Sequence, residues 1–317
     1  MKPYYSDDLV TLFHGDALQV AESLPSASVQ TIVTSPPYFG LRDYGADGQM
    51  GAESSVHEYV AAMCGLFREL RRVLADDGTL WLNLGDSYAS GEVGRHDYAD
   101  GSMIAAGAQD GRKRFTPVTG VRPKNLLGVP WRVALALQAD GWILRSDIIW
   151  AKPNPMPESV TDRPTKAHEY VFMFAKSPRY YYDAEAISEP FADDRMGFSG
   201  ATSSKYSDAK ALRNDGGLVA ATSKESRNKR TVWTIPTVPF SAAHFAVYPP
   251  ELIRPCILAG SRPGDTILDP FSGSGTTGMV ATQEGRKYIG IDLNADYLDL
   301  SLQTRFRQPV LDFGSIA

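Results

Sequence analysis

The chain of 317 residues lacks the sequence features that are typical of disulfide-rich, metal-binding, membrane-spanning and secreted proteins. It contains only two cysteines, Cys64 and Cys256, and no Cys-x-x-Cys pair, which argues against a disulfide framework or a cysteine zinc site and favours a reducing cytoplasm. The five histidines are scattered without ligand spacing, so we expect no metal site. No segment approaches the ~20 apolar residues of a membrane span, and the N-terminus lacks the apolar core of a secretory signal.

The sequence also lacks a large excess of charge of either sign. The formal net charge is -5, which by itself does not indicate a nucleic-acid partner. The distribution is uneven, however, because residues 111–124 hold five basic residues and no acid, and residues 195–231 hold eight basic residues and three acids. On charge alone, solvated loops and polyanion-binding loops are equally good interpretations.

Short apolar strands alternate with helical patterns along the chain, which is typical of a parallel α/β sheet with helices on both faces. Residues 54–78 carry apolar side chains at helical spacing and predict a helix, and residues 79–86 predict the next strand. Residues 87–120 and 183–246 show no such period. They are too long for ordinary connections, which indicates functional insertions or disordered loops.

The segment ILDPFSGSGTTG predicts a strand, a glycine-rich turn containing Gly273 and Gly275, and a helix. Glycines let the backbone approach a ligand closely, and a helix N-terminus offers unpaired N–H groups. Asp292 ends the next strand, where a carboxylate suits a ribose diol. Asp269 would repel a pyrophosphate but suits a cationic amino group, and Thr276 and Thr277 add hydroxyl donors at the helix start that suit a carboxylate. These features favour S-adenosylmethionine over a dinucleotide.

The segments DPFSGSGTTG and TSPPY together resemble the motifs of the DNA amino-methyltransferases, and their order resembles that of the beta group. The resemblance covers residues 8–90, 125–180 and 245–305. It implies a Rossmann-like methyltransferase fold with a mostly parallel twisted sheet, helices on both faces, a circularly permuted motif order and inserted DNA-recognition loops. It also implies methyl transfer from S-adenosyl-L-methionine to an exocyclic amino group of a base in double-stranded DNA.

The resemblance places catalysis on Ser35, Pro36, Pro37 and Tyr38. The Ser35 hydroxyl and the Pro36 carbonyl are the expected acceptors for the amino N–H bonds, and they would stabilise the charge that develops on the nitrogen. Both residues precede a proline, which holds them rigidly. Tyr38 is expected to stack on the flipped base.

The identity of the base depends on Ser35. In this family Ser-Pro-Pro-Tyr usually accompanies cytosine-N4 methylation and Asp-Pro-Pro-Tyr usually accompanies adenine-N6 methylation, so we favour cytosine and leave adenine open. Cytosine-C5 methylation needs a cysteine nucleophile after a proline. Pro255-Cys256 matches that dipeptide but lies within a helical pattern, so we interpret Cys256 as a core residue.

For cofactor binding, the resemblance implies the residues Asp16, Asp269, Phe271, Gly273, Gly275, Thr276 and Asp292. Asp16 is assigned to the adenine, although an Asp that stabilises a turn is nearly as good an interpretation. Phe245 and Tyr248 are candidates to close the cofactor pocket.

The resemblance also divides the chain into a catalytic domain, residues 1–182 and 245–317 with a loop insertion at 87–124, and a target-recognition region at 183–244. The basic residues expected to contact DNA are Arg112, Lys113, Arg114, Lys205, Lys210, Arg213, Lys224, Arg227, Lys229 and Arg230. A cognate restriction endonuclease is a candidate partner. The rival interpretations are a DNA-binding protein that has lost its chemistry, and methyl transfer to RNA or a protein amide, which usually has Asn before the prolines.

Overall fold

The computed structural model describes residues 1–40, 48–89, 121–190, 226–238 and 247–306. The strands in these ranges are β1 (Tyr5–Ser6), β2 (Val10–His14), β3 (Val29–Thr34), β4 (Leu74–Leu84), β5 (Ile143–Ala151), β6 (His168–Ala175), β7 (Glu189–Pro190), β8 (Ser226–Arg227), β9 (Val232–Thr234), β10 (Thr266–Asp269) and β11 (Lys287–Asp292). The helices are α1 (Ala17–Ser23), α2 (Val56–Val73), α3 (Val129–Ala139), α4 (Pro250–Gly260), α5 (Thr276–Gln283) and α6 (Ala295–Ser301), and a π-helical turn (Leu302–Phe306) follows α6.

Nine of the described strands form one sheet in the order β1-β2-β11-β10-β3-β4-β6-β5-β9. Neighbouring strands from β2 to β4 are parallel, whereas β6 runs antiparallel to both β4 and β5. The mostly parallel α/β sheet predicted from the sequence is therefore confirmed. The carboxyl ends of β11, β10 and β3 lie side by side, at the edge where open α/β sheets bind their ligands.

Helices cover both faces of this sheet. Buried side chains of α1, α2 and α3 pack against one face, and those of α4, α5 and α6 pack against the other. The inner strand β4 is accordingly apolar on both sides, and Leu80, Trp81 and Leu82 are all buried. No helix in the described ranges is both long enough and apolar enough to cross a membrane.

Helix α2 begins where the sequence predicts but ends earlier. Ser55 caps it, and its hydroxyl accepts a hydrogen bond of 3.2 Å from the N–H of Glu58. The helix ends at Val73 rather than near residue 78, because Leu74 already pairs with Val29 of β3. Val73 and Leu74 are both buried and both fit the helical spacing, so apolar periodicity did not reveal the boundary.

Most of the two predicted insertions lies outside the described residues. The described ends of the second insertion are tied to the rest of the fold, because β7 pairs with β8 and β9 joins the main sheet beside β5. Strand β9 falls inside the segment 183–244 that the sequence assigned to target recognition. Its buried Trp233 donates a hydrogen bond of 2.7 Å to the carbonyl of Arg230, and the strand is thus an edge of the catalytic sheet.

Candidate active site

The two sequence motifs meet at the ends of adjacent strands. Thr34, the last residue of β3, donates a hydrogen bond of 2.6 Å from its hydroxyl to Asp269, the last residue of β10. Residues 35–38 leave the sheet at this point, and the Tyr59 hydroxyl of α2 holds the turn by donating to the Pro37 carbonyl at 2.9 Å. Residues 35–38, here called the rigid turn, therefore lie close to the glycine turn that follows Asp269. The sequence predicts such proximity for residues that act together.

A buried polar network, which the sequence analysis did not predict, surrounds the hydroxyl of Tyr38. That hydroxyl donates to Glu169 Oε2 at 2.7 Å, and the Asn83 amide donates to the same hydroxyl at 2.6 Å and to Glu169 Oε2 at 2.9 Å. Ser35 Oγ lies 3.3 Å from both the Tyr38 hydroxyl and the Asn83 amide nitrogen. Lys152 forms an ion pair with Glu169 Oε1. The network thus links the predicted catalytic residues to β4, β5 and β6.

The charges in this network keep Glu169 ionised. Burial raises the pKa of Glu169, but the Lys152 ammonium and the hydrogen bonds from Asn83 and Tyr38 outweigh burial and hold that pKa below its usual range. Burial and the Glu169 charge raise the pKa of Tyr38 well above its ordinary value, so the phenol stays protonated and donates. The Lys152 ammonium also lies 4.1 Å from the centre of the Trp150 ring, which stabilises the cation further.

The ring of Tyr38 packs against the backbone of Gly85. A Cβ at Gly85 would lie only 2.5 Å from Tyr38 Cε2, so this position, directly after β4, requires glycine. The ring also lines the cavity described below. The structure therefore fixes both the ring and the hydroxyl of Tyr38, while stacking on a base stays a prediction.

The glycine turn and Asp292 form the other end of the site. Gly273 adopts φ 52°, and a Cβ there would meet nothing closer than 3.9 Å, so the turn leaves open space beside its backbone. Its N–H donates to Asp292 Oδ2 at 2.7 Å, and the N–H of Asn294 donates to Oδ1 at 2.9 Å. Burial raises the pKa of Asp292 to about 6. This carboxylate is consequently ionised at neutral pH and titrates just below it.

Two of the predicted cofactor residues lie behind the wall of the site. Asp269 is fully buried, and burial raises its pKa. Its carboxylate accepts hydrogen bonds from the hydroxyls of Thr34, Tyr248 and Thr277 and from the N–H of Phe271. Gly275 packs against α6, where a Cβ would lie 2.9 Å from Ser301 Cβ. Asp269 therefore connects the ends of β3 and β10, and its carboxylate already accepts the Thr277 hydroxyl. Contact of Asp269 with a cationic amino group stays a prediction.

Asp16 has the turn-stabilising role that the sequence left open. Its Oδ1 accepts hydrogen bonds of 3.1 and 3.0 Å from the N–H groups of Leu18 and Gln19 at the start of α1. The residue also lines the cavity. Its assignment to a cofactor adenine stays a prediction.

A cavity of about 990 Å³ connects the rigid turn to the glycine turn. The predicted catalytic and cofactor residues that line it are Asp16, Ser35, Pro36, Pro37, Tyr38, Tyr248, Phe271, Gly273, Thr276 and Asp292. Phe245, predicted to close this cavity, lies outside the described residues. The volume lies in the upper range of ligand pockets, and one cavity thus contains both halves of the predicted chemistry.

The glycine end of the cavity has the groups that suit the nucleoside part of a ligand. The open space beside Gly273 admits close approach of a ligand. Asp292 offers a carboxylate that can accept hydrogen bonds from a ribose diol, and Phe271 adds an apolar surface. Among the described residues there is no cluster of three or more His, Cys, Asp or Glu side chains that could hold a metal ion.

Three of the basic residues predicted to contact DNA are described. Arg227 and Arg230 bind the same oxygen of Glu189, at 2.9 and 2.6 Å, and Lys229 lies 5.2 Å from the centre of the Trp233 ring. The Arg230 side chain remains 66% exposed. The others lie outside the described residues: Arg112, Lys113, Arg114, Lys205, Lys210, Arg213 and Lys224. DNA contact by all of these residues stays a prediction.

Cys256 is a core residue, as its helical context indicates. It lies in α4 with no exposed surface, and burial raises the pKa of its thiol far above the ordinary value. A thiolate is the reactive form of cysteine, so this residue is unsuited to act as the nucleophile of a C5 methyltransferase.

The residues of the buried network carried a weak signal in the sequence. Asn83 is a polar residue inside the apolar segment TLWLNLGD, and Glu169 opens the apolar segment EYVFMFAKS. Buried polar side chains require specific partners. The identity of the partners depends on the antiparallel pairing of β4 with β6, which places Asn83 opposite Val171 and could not be read from periodicity.

Comparisons with known proteins identify the family of this chain. Residues 29–303 match a family model described as DNA methylase. The chain is 51% identical over 294 residues to the Type II methyltransferase M.Cfr9I of Citrobacter freundii, and the match covers 92% of this chain and 86% of that enzyme.

Two solved structures have a similar fold. One is the PvuII DNA methyltransferase (cytosine-N4-specific), with a TM-score of 0.64 and 21% identity, covering 98% of this chain and 90% of that one. The other is the putative DNA modification methylase TTHA0409 from Thermus thermophilus complexed with S-adenosyl-L-methionine, with a TM-score of 0.55 and 24% identity, covering 92% and 91%. The family match over most of the sequence and the 51% identity to M.Cfr9I show that the chain belongs to the N6/N4 family of DNA methylases.

Proposed function

We propose that this DNA methyltransferase modifies the exocyclic N4 amino group of cytosine at a specific site in duplex DNA. The observation that carries the proposal is the position of the Ser35 hydroxyl, which lines the same cavity as Gly273 and Asp292. The enzyme uses S-adenosyl-L-methionine, which when bound supplies an electrophilic methyl group on a sulfonium.

The residues around the cavity divide the work between two ends. At the glycine end, Asp292 and the backbone of Gly273 hold the donor, with Thr276 and Phe271 beside them. At the other end, Ser35 Oγ and the Pro36 carbonyl accept the N–H bonds of the amino group. The Pro37 carbonyl accepts the Tyr59 hydroxyl, so it is already engaged. Direct displacement would need no covalent intermediate, because these residues would hold the amine close to the methyl donor in one cavity.

Two further observations support cytosine over adenine. The first is Ser35 itself, since a serine at this position usually accompanies cytosine-N4 methylation in the family that the sequence resembles. The second is the fold of the PvuII enzyme, whose name states that it is cytosine-N4-specific. The base must leave the DNA helix to reach the cavity, and flipping of the target nucleotide is the general solution to that requirement.

The DNA would lie over the carboxyl edge of the sheet, with the basic segments around it. We assign target recognition to residues 183–244 and phosphate contacts to the basic residues of both insertions, among which Arg230 is exposed. The Type II name of M.Cfr9I suggests in addition that a restriction endonuclease acts on the same site.

The test is incubation of the protein with S-adenosyl-L-methionine and mixed-sequence duplex DNA, followed by mass spectrometry of the nucleosides. We expect N4-methylcytosine from the wild-type protein and none from Ser35→Ala. N6-methyladenine would overturn the choice of base. Cofactor and DNA binding without any methylated nucleoside would support the interpretation as an inactive DNA-binding protein.

A further inference from the structure

Three oxygen atoms form a continuous hydrogen-bonded path from the cavity to a buried carboxylate. Ser35 Oγ lines the cavity and lies 3.3 Å from the Tyr38 hydroxyl, which lies 2.7 Å from Glu169 Oε2. The path has a direction, because the Asn83 amide donates to the Tyr38 hydroxyl at 2.6 Å and occupies one of its lone pairs. The Tyr38 proton is therefore directed towards Glu169, and its remaining lone pair faces Ser35.

Serine in place of aspartate gives such a path a chemical purpose. A neutral hydroxyl can accept a hydrogen bond from the target amine, but a protonated alcohol is far too acidic to retain a proton. An aspartate at the same position would be able to take the proton itself. With Ser35 the proton must pass on to another base, and Glu169 is a buried carboxylate that is connected to Ser35 through the Tyr38 hydroxyl.

We propose that Glu169 is the final proton acceptor of the methyl transfer, and that Ser35 and Tyr38 relay the proton to it from the target amine. The inference rests on the proposed function, because it describes how the same site removes the proton that amine methylation releases. Glu169 and Tyr38 are thus assigned a catalytic role that goes beyond stacking and shape.

The step balances in protons and charge. The new N–C bond forms as the S–C bond of the donor breaks, which leaves the nitrogen with a positive charge and one proton in excess. That proton moves to Ser35 Oγ, the Ser35 proton moves to the Tyr38 hydroxyl, and the Tyr38 proton moves to Glu169. The products are the neutral methylated amine and a neutral Glu169, while Ser35 and Tyr38 regain their original protonation.

The surroundings of Glu169 suit a base that must be ionised at the start of each turnover. The cationic groups that face it are Lys152, which directly follows β5, and Lys166 from the segment before β6, and its other polar neighbours are Asn83 and Tyr38. The Lys166 ammonium also donates to the Asp86 carbonyl. Asp86 and Glu158 are the acids near Lys166, and they balance part of its charge.

The experiment measures the rate of methyl transfer in a single turnover at saturating cofactor and DNA. Tyr38→Phe keeps the ring and removes the relay oxygen, and Glu169→Gln keeps the size and removes the base. We expect each variant to lose a factor of about 100 in rate with unchanged DNA affinity. We expect the double variant to be no slower than either single variant, because the two residues act on the same proton.

The pH profile separates this role from a purely structural one. The wild-type rate should fall as pH drops through the pKa of Glu169, since the protonated carboxyl cannot accept. Lys152→Met removes the cation that holds this pKa down, so the acid limb should move to higher pH, whereas Lys152→Arg should restore it. The matched control is Lys287→Met, which replaces an exposed lysine at the amino-terminal end of β11. This variant should leave the acid limb of the pH profile in place.

An infrared titration without cofactor or DNA gives a readout independent of activity. The part of the protonated-acid carbonyl band that Glu169→Gln abolishes should appear at higher pH in Lys152→Met than in the wild-type protein. If Lys152→Met does not fold, the Tyr38→Phe and Glu169→Gln rates decide alone. Wild-type methylation with unchanged rates in those two variants would overturn the relay, whereas an inactive wild-type protein would overturn the proposed function instead.

Discussion

The contact between Gly85 and Tyr38 leads to a sharp prediction about how the position of one ring controls the rate. In Gly85→Ala, the new Cβ would lie 2.5 Å from Tyr38 Cε2. Carbon atoms in contact prefer a separation of about 3.5 Å or more, so the ring must retreat by about 1 Å. A displacement of about 1 Å is large enough to take the Tyr38 hydroxyl beyond hydrogen-bonding distance of Glu169, from which it is now separated by 2.7 Å.

The size of the effect follows from that displacement. A misplacement of about 1 Å in a catalytic group can reduce the rate by about 100-fold, which corresponds to about 2.7 kcal/mol of activation free energy. The loss of the buried hydrogen bond to a charged group should reduce the free energy of unfolding by about 2 kcal/mol. The variant should therefore remain folded at 25 °C and bind DNA while its single-turnover methylation rate falls.

A double-mutant cycle tests whether Tyr38 transmits the effect. Tyr38→Ala removes the ring that the new methyl group would strike, so Gly85→Ala should cause no further loss of rate in that background. If the two substitutions reduced the rate independently, so that their effects multiplied, the reasoning from the Gly85 contact would be refuted. The same conclusion would follow if Gly85→Ala alone methylated DNA at the wild-type rate.

Three further predictions concern other parts of the molecule. Gly278→Ala places a Cβ 2.5 Å from the ring of Tyr288. The overpacking should cost about 1–3 kcal/mol, whereas the higher helix propensity of alanine contributes about 1 kcal/mol. Thermal unfolding should therefore show a lower Tm. The control Gly65→Ala, which meets nothing within 4 Å in α2, should not lower it. The affinity for S-adenosyl-L-methionine should fall as pH drops through about 6, because Asp292 gains a proton there, and calorimetry should find no such step in Asp292→Asn. Cys256→Ala should keep its methylation activity, measured with labelled cofactor, once the folded fraction is taken into account; complete loss of activity in folded protein would contradict the core assignment.

The sequence predicted the chemistry of the strand ends better than the environment behind them. The positions of Ser35 and Asp292 at the carboxyl ends of strands followed from short apolar runs that stop at polar residues. Such runs occur because a strand covered on both faces must be apolar until it leaves the sheet. The early end of α2 was missed for the same physical reason, since Leu74 is buried in the strand as it would have been in the helix.

The network behind Tyr38 was not predictable from local pattern. Asn83, Lys152 and Glu169 come from three neighbouring parts of the sheet, and their contact depends on β6 lying between β4 and β5 in antiparallel register. Periodicity reports whether a side chain is buried, but it does not report which side chains meet. Asp269 gives the opposite lesson, because the sequence located it correctly at the strand end while the structure turns it inward to four donors.

The hydrogen bond between Thr34 and Asp269 has a consequence for how the reacting groups are spaced. It joins the last residues of β3 and β10, two neighbouring parallel strands, whose separation in any sheet is about 4.8 Å. The distance between the turn at residues 35–38 and the glycine turn is therefore set by the hydrogen bonds between the two strand backbones. This spacing varies little from one protein to another. Replacement of the long insertions should alter which DNA is chosen, whereas a slip of β3 by one residue against β10 should abolish the reaction on every DNA.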